Sequence, residues 1–559
     1  MNRIQIVLFI LGVMFFAFSC SGNDPAPNPE LVVSVETLTF GNASETQTIH
    51  IKTNIAWNIS VSDGWCTVSP ASGNNTGTIA LDVTVAANTT TAARNAVLTV
   101  SAGNLSQQIT VTQDPNVILT ISPDSVEVSS VGQDVTFNLQ ASPDVTSVTV
   151  DPNTWITQKS SNTFTIAPNP ALFAREGTIT FSNGKLSKDV IVQQSGSPLN
   201  IAADKTGMND DAVALSAKLG VGWNLGNSLE STTATSASET MWGNPPVNKQ
   251  LIDAVKAAGF TTIRIPCAWN AYIEDQTTYK IEDSWLARVK EVVDYCVDDG
   301  LYAIINIHWD GGWLEDNPTY AMQESVNEKQ KALWEQIAVY FRDYDEHLMF
   351  AGTNEVHADY GNPTGENITV QMSFNQTFVD AVRSTGGRNT WRNLIIQSYN
   401  TNIDYAVSYL QMSSDATPNR MLAEVHYYDP YDFCLDGTSN IFLWGKNFSG
   451  PNVSTWGQED WVDGQFGKMN TNFVQKGIPV ILGEYAAILR TSLSATDYAN
   501  HVIARNYFLN YVTKTTLQNG MTPIYWDAGA TGDNSTGLFN RTTGEQVYPD
   551  AIQAIVSAK

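Results

Sequence analysis

Leu348-Met349-Phe350-Ala351-Gly352-Thr353-Asn354-Glu355 is an apolar run that closes on a carboxylate. Ile478-Pro479-Val480-Ile481-Leu482-Gly483-Glu484-Tyr485 is a second, with its glutamate one residue from the end. Both read as buried strands bounded by loops. Runs of the same texture surround them at Val221–Asn227, Thr261–Pro266, Tyr302–His308, Leu394–Tyr399, Met421–Tyr428 and Thr522–Asp527. Amphipathic stretches such as 284–299, 325–346 and 497–518 fall between these runs. The two runs and these six make eight βα units. Alternating βα units of that number predict a (β/α)₈ TIM barrel, here over 208–559, whose site lies at the C-terminal ends of the strands.

Read at those ends, the runs offer Arg264, His308, Asn354, Glu355, His426, Tyr428, Glu484 and Trp526. Side chains alternate along a strand, so His426 and Tyr428 share a face, and Glu424 lies on it one layer deeper. Any one of these residues has an ordinary structural explanation. Their coincidence over so many strand ends is harder to obtain by packing alone. Two carboxylates, Glu355 and Glu484, are the minimum equipment for hydrolysis of a glycosidic bond. Glu424 reads as the buried partner of a cation. No metal and no cofactor are expected: the chain has 6 histidines, no H-E-x-x-H and no phosphate-cradling glycine motif. G-x-S-x-G is absent as well, which argues against a serine esterase.

At 559 residues the chain is too long for one domain. Its net charge of −26 excludes nucleic acid and makes anionic membrane surfaces poor partners. The start differs in kind. Arg3, an apolar run from Ile4 to Phe18, and Ser19-Cys20 read as a lipoprotein signal peptide over 1–20, too short to span a bilayer comfortably. Cys20 is then the lipidated residue and 21–29 a proline-containing tether. The expected location is the outer membrane, at the cell surface, with a periplasmic or secreted protein as the alternative. Of the other cysteines, Cys267 and Cys296 are expected to be buried thiols, and a disulfide stays open.

Residues 30–195 hold an internal repeat. Arg94-Asn95-Ala96-Val97-Leu98-Thr99-Val100-Ser101 aligns with Arg175-Glu176-Gly177-Thr178-Ile179-Thr180-Phe181-Ser182, and the register runs on without gaps to Gln113 and Gln194. Both copies alternate apolar and polar residues across a glycine-containing turn, a hairpin pattern. Two β-sandwich modules are expected, at 30–114 and 115–195, followed by a small-residue linker at 196–207.

Gly64-Trp65-Cys66-Thr67-Val68-Ser69-Pro70 and Thr110-Val111-Thr112-Gln113 resemble the BACON domains that precede carbohydrate-active enzymes of Bacteroidetes. That resemblance implies a spacer or weak ligand-binding role. The barrel segment resembles glycoside hydrolase family 5, subfamily 4. The motifs are Gly222-Trp223-Asn224-Leu225-Gly226-Asn227, Trp242-Gly243-Asn244-Pro245, Ile263-Arg264-Ile265-Pro266 and Glu424-Val425-His426-Tyr427-Tyr428-Asp429-Pro430. The family pattern implies Glu355 as general acid/base and Glu484 as nucleophile of a retaining enzyme. It implies a raised Glu355 pKa, caused by the Glu484 charge, with Arg264, itself counted among the substrate-binding residues, keeping Glu484 ionised. Asn354, His308, Trp526 and Asn227 would meet the sugar, and His426 and Tyr428 would orient the carboxylates. Trp242, Trp309, Trp269 and Trp313 are candidates for outer subsites. Val356 and Trp309 stand where the family usually has proline and a second histidine. The implied activity is endo-hydrolysis of a plant β-1,4-glucan: xyloglucan, mixed-linkage glucan or a cellulose-like chain. A mannanase or xylanase on the same fold, and a non-catalytic glycan-binding lipoprotein, are the alternatives. The expected partners are the polysaccharide, the membrane through the lipid anchor, and a glycan-uptake complex, with the chain a monomer.

Overall fold

The computed structural model describes residues 27–233 and 235–558. The signal segment with Cys20, and most of the tether, lie outside the described residues. Among those described, no helix is long and apolar enough to cross a membrane. Between Leu31 and Gln113 a four-stranded and a five-stranded sheet enclose a core that includes Phe40, Ile51, Leu81, Leu98 and Val111. In the second module the strands lie between Ile118 and Gln194, and Phe137, Phe164 and Phe181 cluster within it with centroids 5.8–6.2 Å apart, Phe181 meeting the other two edge to face.

Eight parallel strands close a barrel in the order of the sequence. They are β1 (Gly222–Leu225), β2 (Thr262–Ile265), β3 (Tyr302–Asn306), β4 (Leu348–Ala351), β5 (Leu394–Gln397), β6 (Met421–Tyr427), β7 (Val480–Tyr485) and β8 (Met521–Asp527). The helices are α1 (Ala212–Leu219), α2 (Lys249–Ala258), α3 (Asp283–Asp298), α4 (Tyr320–Tyr340), α5 (Gly365–Ser384), α6 (Ile403–Tyr409), α7 (Tyr431–Cys434), α8 (Glu459–Asn472), α9 (Ala495–Gln518) and α10 (Pro549–Val556). Helix α1 precedes the first strand, and its Leu215 and Leu219 pack with Ile304, Met349, Ile395, Leu422, Ile481 and Ile524 in one apolar cluster. The alternate positions Ile263, Ile305, Phe350, Ile396, Val425, Leu482 and Tyr525 pack outward, in the shell shared with the helices. Strand alternation therefore puts Asn224, Arg264, Asn306, Gln397 and Glu424 on the inner face, all buried, as a polar layer next to the apolar one.

Three features differ from the sequence reading. Strand β4 stops at Ala351, so Asn354 and Glu355 stand on the loop after it and not on the strand itself. That loop is pinned because Gln397 Oε1 accepts from Thr353 N at 3.1 Å and Thr353 Oγ1 at 2.9 Å. The segment 196–207 is not a free linker. Arg342 Nη1 donates to the carbonyls of Pro198 and Leu199 at 3.1 Å, and Asn200 Nδ2 donates to Ser384 O at 2.6 Å. Its backbone groups are satisfied by the barrel, which is why a small-residue stretch lies flat there. The cysteines Cys66, Cys267, Cys296 and Cys434 are all buried free thiols, so no disulfide joins them.

The third feature is in β7. The register against β6 steps from Val425↔Leu482 to His426↔Glu484, so Gly483 is an extra residue. Ile481 faces inward and Leu482 outward. Strict alternation would then put Glu484 on the outer face. The bulge turns it inward, and Tyr485 resumes the outward side. A side chain on Gly483 has no room, since its Cβ would fall 2.0 Å from Glu424 Oε1. Gly483→Ala should cost about 1–3 kcal/mol of stability by overpacking, read by urea denaturation, and should reduce turnover. An unchanged midpoint would mean that Glu424 yields without cost.

Candidate active site

The polar layer is organised by Arg264, which is 0% exposed. Its Nε lies 2.9 Å from Glu424 Oε1. Nη1 donates to Glu484 Oε1 and to Asn224 Oδ1, both at 3.0 Å, and Nη2 donates to Asn354 Oδ1 at 2.8 Å. Expected among the substrate-binding residues, Arg264 instead lies beneath the site and cannot reach a sugar. The guanidinium fork fits this task because its donors point in fixed directions. Glu424 takes the predicted place as its buried partner, and its other oxygen accepts from Gln397 Nε2 at 2.6 Å.

His426 stands between three carboxylates. Its Nδ1 lies 2.6 Å from Glu355 Oε1 and 3.7 Å from Glu484 Oε2, and its Nε2 lies 3.3 Å from Glu424 Oε1. Tyr428 donates its hydroxyl to Glu484 Oε2 at 2.9 Å. His426 and Tyr428 thus orient the two carboxylates, as the family pattern implies. Burial opposes the imidazolium, but the Glu484 charge and the bonds to Glu355 and Glu424 raise His426 to about 10.

That cation overturns one expectation. Burial works to raise the Glu355 carboxyl, yet the His426 bond and charge, with Arg264, bring it below the usual range. Glu484 goes the other way: burial and the charge of Glu355 raise it, against His426 and Arg264. Glu355 is lowered, not raised, in the resting site because its neighbour is a charged imidazole as well as a second carboxylate. The two titrate as one set. The basic nitrogen closest to Glu355 therefore holds the proton.

Glu355, His426 and Glu484 bring ligand-type atoms within 4.8 Å of one another. Both ring nitrogens of His426 face carboxylates, the arrangement of an imidazole that carries a proton between them. The set fits proton transfer.

The remaining candidates divide by position. His308 stacks on Trp526 at 5.5 Å and 7°, and burial pushes its pKa well down, so it is neutral. Asn354 is buried, holds Arg264 through Oδ1 and hydrogen-bonds Glu315 with its side chain. Its second amide N–H is the group that can meet a sugar hydroxyl. Trp242 is half exposed and pairs with Trp309, centroids 6.0 Å apart. Asn227 has φ of 57°, and its carbonyl accepts from Asn244 Nδ2 at 2.8 Å, so its backbone shapes the loop after β1. Two outer-subsite candidates are engaged in contacts of their own. Trp269 is fully buried and donates to Asn306 O at 2.8 Å, so it belongs to the core. Trp313 donates to Asp310 Oδ2 at 2.8 Å, and Lys329 covers its ring at 4.4 Å.

Two contributors escaped the sequence reading. Thr401 Oγ1 donates to Glu355 Oε1 at 3.4 Å from a loop where both Asn400 and Thr401 have positive φ, 49° and 44°. Extending the strand-end reading a few residues past β5 finds it. Glu315 is buried behind Glu355, accepts from Trp309 N at 3.0 Å, and is raised to about 8 by burial and the Glu355 charge. No local pattern marks it, since its role exists only where two loops meet. A cavity of about 760 Å³ runs from Glu484 and Trp526 past Glu355 to Asp404 and Tyr431.

A closed parallel barrel with two carboxyl groups this close at its C-terminal end defines a retaining glycoside hydrolase. The chain belongs to glycosyl hydrolase family 5, whose Cellulase profile matches residues 227–532. The BACON family, described as a putative N-terminal binding domain, matches 56–114 and 119–195. The xyloglucan-specific endo-beta-1,4-glucanase BoGH5A of Bacteroides ovatus is 36% identical over 99% of this chain and 96% of its own length. Endoglucanase A of Paenibacillus barcinonensis is 38% identical over 62% of this chain and 89% of its own. Among solved structures, the Bacteroides ovatus GH5 xyloglucanase bound to a XXXG heptasaccharide superposes with a TM-score of 0.62 at 35% identity, covering 95% of this chain and 99% of that one. A broad-specificity GH5-4 endoglucanase from Bacteroides salanitronis gives 0.59 at 36% identity, covering 64% of this chain and 97% of that one.

Removal of the imidazolium has a defined sign. His426 lowers both Glu355 and Glu484, so in His426→Ala both carboxyl pKa values rise. The acid limb of the kcat/KM profile, set by Glu484, should move to higher pH, while the basic limb, set in the native site by the proton that His426 holds for Glu355, should move down to the pKa of Glu355 itself, so that the bell narrows as its height falls. A profile that keeps its position would show that His426 does not set these charges.

Proposed function

We propose that this enzyme hydrolyses internal β-1,4 bonds of plant β-glucans with retention, and that a xyloglucan-type branched chain is its best substrate. The observation that carries the reading is the carboxylate pair. Oxygens of Glu355 and Glu484 lie within 4.8 Å of each other, close enough for a covalent glycosyl-enzyme and too close for an intervening water of the inverting kind. A non-catalytic glycan-binding protein has no need of that pair. The xyloglucan assignment is supported by a relative of matching length whose name specifies that polymer.

Glu484 attacks the anomeric carbon of the sugar over Trp526, with Arg264 and Tyr428 holding its two oxygens in place. The proton on His426 Nδ1 is one 2.6 Å hydrogen bond from Glu355 Oε1. It passes along that bond as substrate expels water, and Glu355 delivers it to the departing glycosidic oxygen. Glu355, again a carboxylate, then takes a proton from the water that breaks the ester on Glu484. Glu484→Ala should lose nearly all hydrolysis with the fold retained. A mechanism-based fluoro-sugar should label Glu484 in the native enzyme, read by peptide mass. A label on Glu424, or activity surviving in the alanine variant, would remove the assignment.

The reading includes an anchor. Cys20 carries the lipid, the residues after it form a tether, and the β modules extend reach between membrane and barrel, so that the enzyme meets polymer at the cell surface. Stable attachment needs more than one acyl chain. Cys20→Ala should release the enzyme from the membrane fraction without loss of activity. Unchanged fractionation removes the anchor, and resistance of the native enzyme to protease on intact cells places it in the periplasm.

A further inference from the structure

Glu355 is not carried by a strand. Strand β4 ends at Ala351, and Glu355 stands on the loop beyond it. The Gln397 bonds fix Thr353, at the start of that loop. The rest of the loop is held by a residue that the mechanism does not use: Glu315, from the loop after β3.

Glu315 grips its neighbour at several points. Its carboxylate accepts from the side chain of Asn354 and from the backbone N–H of Glu355. Its carbonyl accepts from His357 N at 2.8 Å. His357 in turn donates from Nδ1 to the Glu355 carbonyl at 2.6 Å, which closes the turn on itself. On its own loop, Glu315 Oε2 accepts from Trp309 N at 3.0 Å, where the backbone is in the left-handed region with φ of 40°. Apolar packing keeps the two loops in register. Leu314 and Val356, next in sequence to Glu315 and Glu355, are buried in one cluster with Val326, Val370 and Phe374.

These bonds leave the acid little freedom. Asn354 has Oδ1 on Arg264 and one N–H on Glu315, so its amide has a fixed orientation. The Glu355 peptide groups are held on both sides, by Glu315 and by His357, and only its side-chain torsions remain. His426 and Thr401 hold the far end of that side chain. Glu315 is itself 6% exposed, and a buried carboxyl is stable only with hydrogen bonds of this number. Resting on the retaining-hydrolase reading above, we infer that Glu315 is a positioning residue for the acid/base step: from behind, it fixes the backbone of Glu355 so that the carboxyl group meets His426 and the glycosidic oxygen in turn.

The test separates a displaced acid from a general loss of structure. A dinitrophenyl group departs as a stable anion and needs no proton, whereas the sugar oxygen of a β-glucan needs one. Glu315→Gln keeps the size but puts an N–H₂ where a carboxylate oxygen accepts. In this variant the ratio of kcat/KM on soluble β-glucan to kcat/KM on dinitrophenyl β-cellobioside should fall on the order of 10- to 100-fold, the scale of a misplaced general acid. A disturbed Asn354 weighs on both substrates, so the ratio isolates Glu355. A ratio at the native value, or equal losses on both substrates, overturns the role. If Glu315→Gln does not fold, Glu315→Asp, which keeps the acceptors on a shorter stem, carries the same comparison with the same outcomes. If the native enzyme cleaves no β-glucan, the β-glucanase reading falls, and a crystal structure of the variant still decides the clamp. A Glu355 carboxyl group moved away from His426 supports it, and one that keeps the 2.6 Å bond removes it.

Discussion

The site depends on one buried ion cluster. Arg264 is out of contact with solvent and lies within 3.0 Å of oxygens on Glu424, Glu484, Asn224 and Asn354. These come from β6, β7, β1 and the loop after β4, so the guanidinium ties separate strand ends into one layer. Taking such charges out of water is expensive, and their mutual attraction offsets the cost only when geometry and hydrogen bonds are complete. Loss of one partner from a cluster of this type costs about 3–5 kcal/mol, because the charges left behind stay buried. The polar layer is therefore a fixed platform on which Glu355 and Glu484 are held, and rigidity of that kind is what positions reacting groups.

The same cluster explains where the charge sits. Three carboxylates converge on His426, and their combined field keeps the imidazole protonated. A resting site with His426 charged and Glu355 ionised is one proton transfer from the protonated Glu355 that the proposed mechanism uses. The short bond between them makes that transfer local, and no solvent route is needed. Glu315, buried behind Asn354 and Glu355, adds a further acid whose raised pKa reduces the negative charge next to the pair. The loops also contribute by strain: Trp309, Asn400 and Thr401 all have positive φ without being glycine, and Asn400 and Thr401 line the cavity.

Much of this was legible in the sequence. The eight apolar runs correspond to the eight barrel strands because strands buried on both faces need continuous apolar sequence. Their polar C-terminal residues mark the site because a buried strand otherwise excludes them. Glu355, Glu484, His308, His426, Tyr428 and Trp526 all come together in the barrel mouth or its inner wall. By itself the sequence determined the barrel, its active end and the pair of acids, since each is written in local periodicity and spacing.

Tertiary structure alone decided the rest. Alternation by itself would point Glu484 outward, and only the bulge at Gly483, opposite Glu424, turns it into the cleft. The direction of the Glu355 shift depends on how near His426 stands, a distance across strands that spacing along the chain cannot give. Trp269, Trp309 and Trp313 are the same residue type, yet one is core, one pairs with the exposed Trp242 and one is capped by Lys329. Thr401 and Glu315 gain their roles where loops from different strands meet. Local sequence fixes which residues sit at the top of a strand, but a field or a contact is a sum over neighbours that only folding brings together.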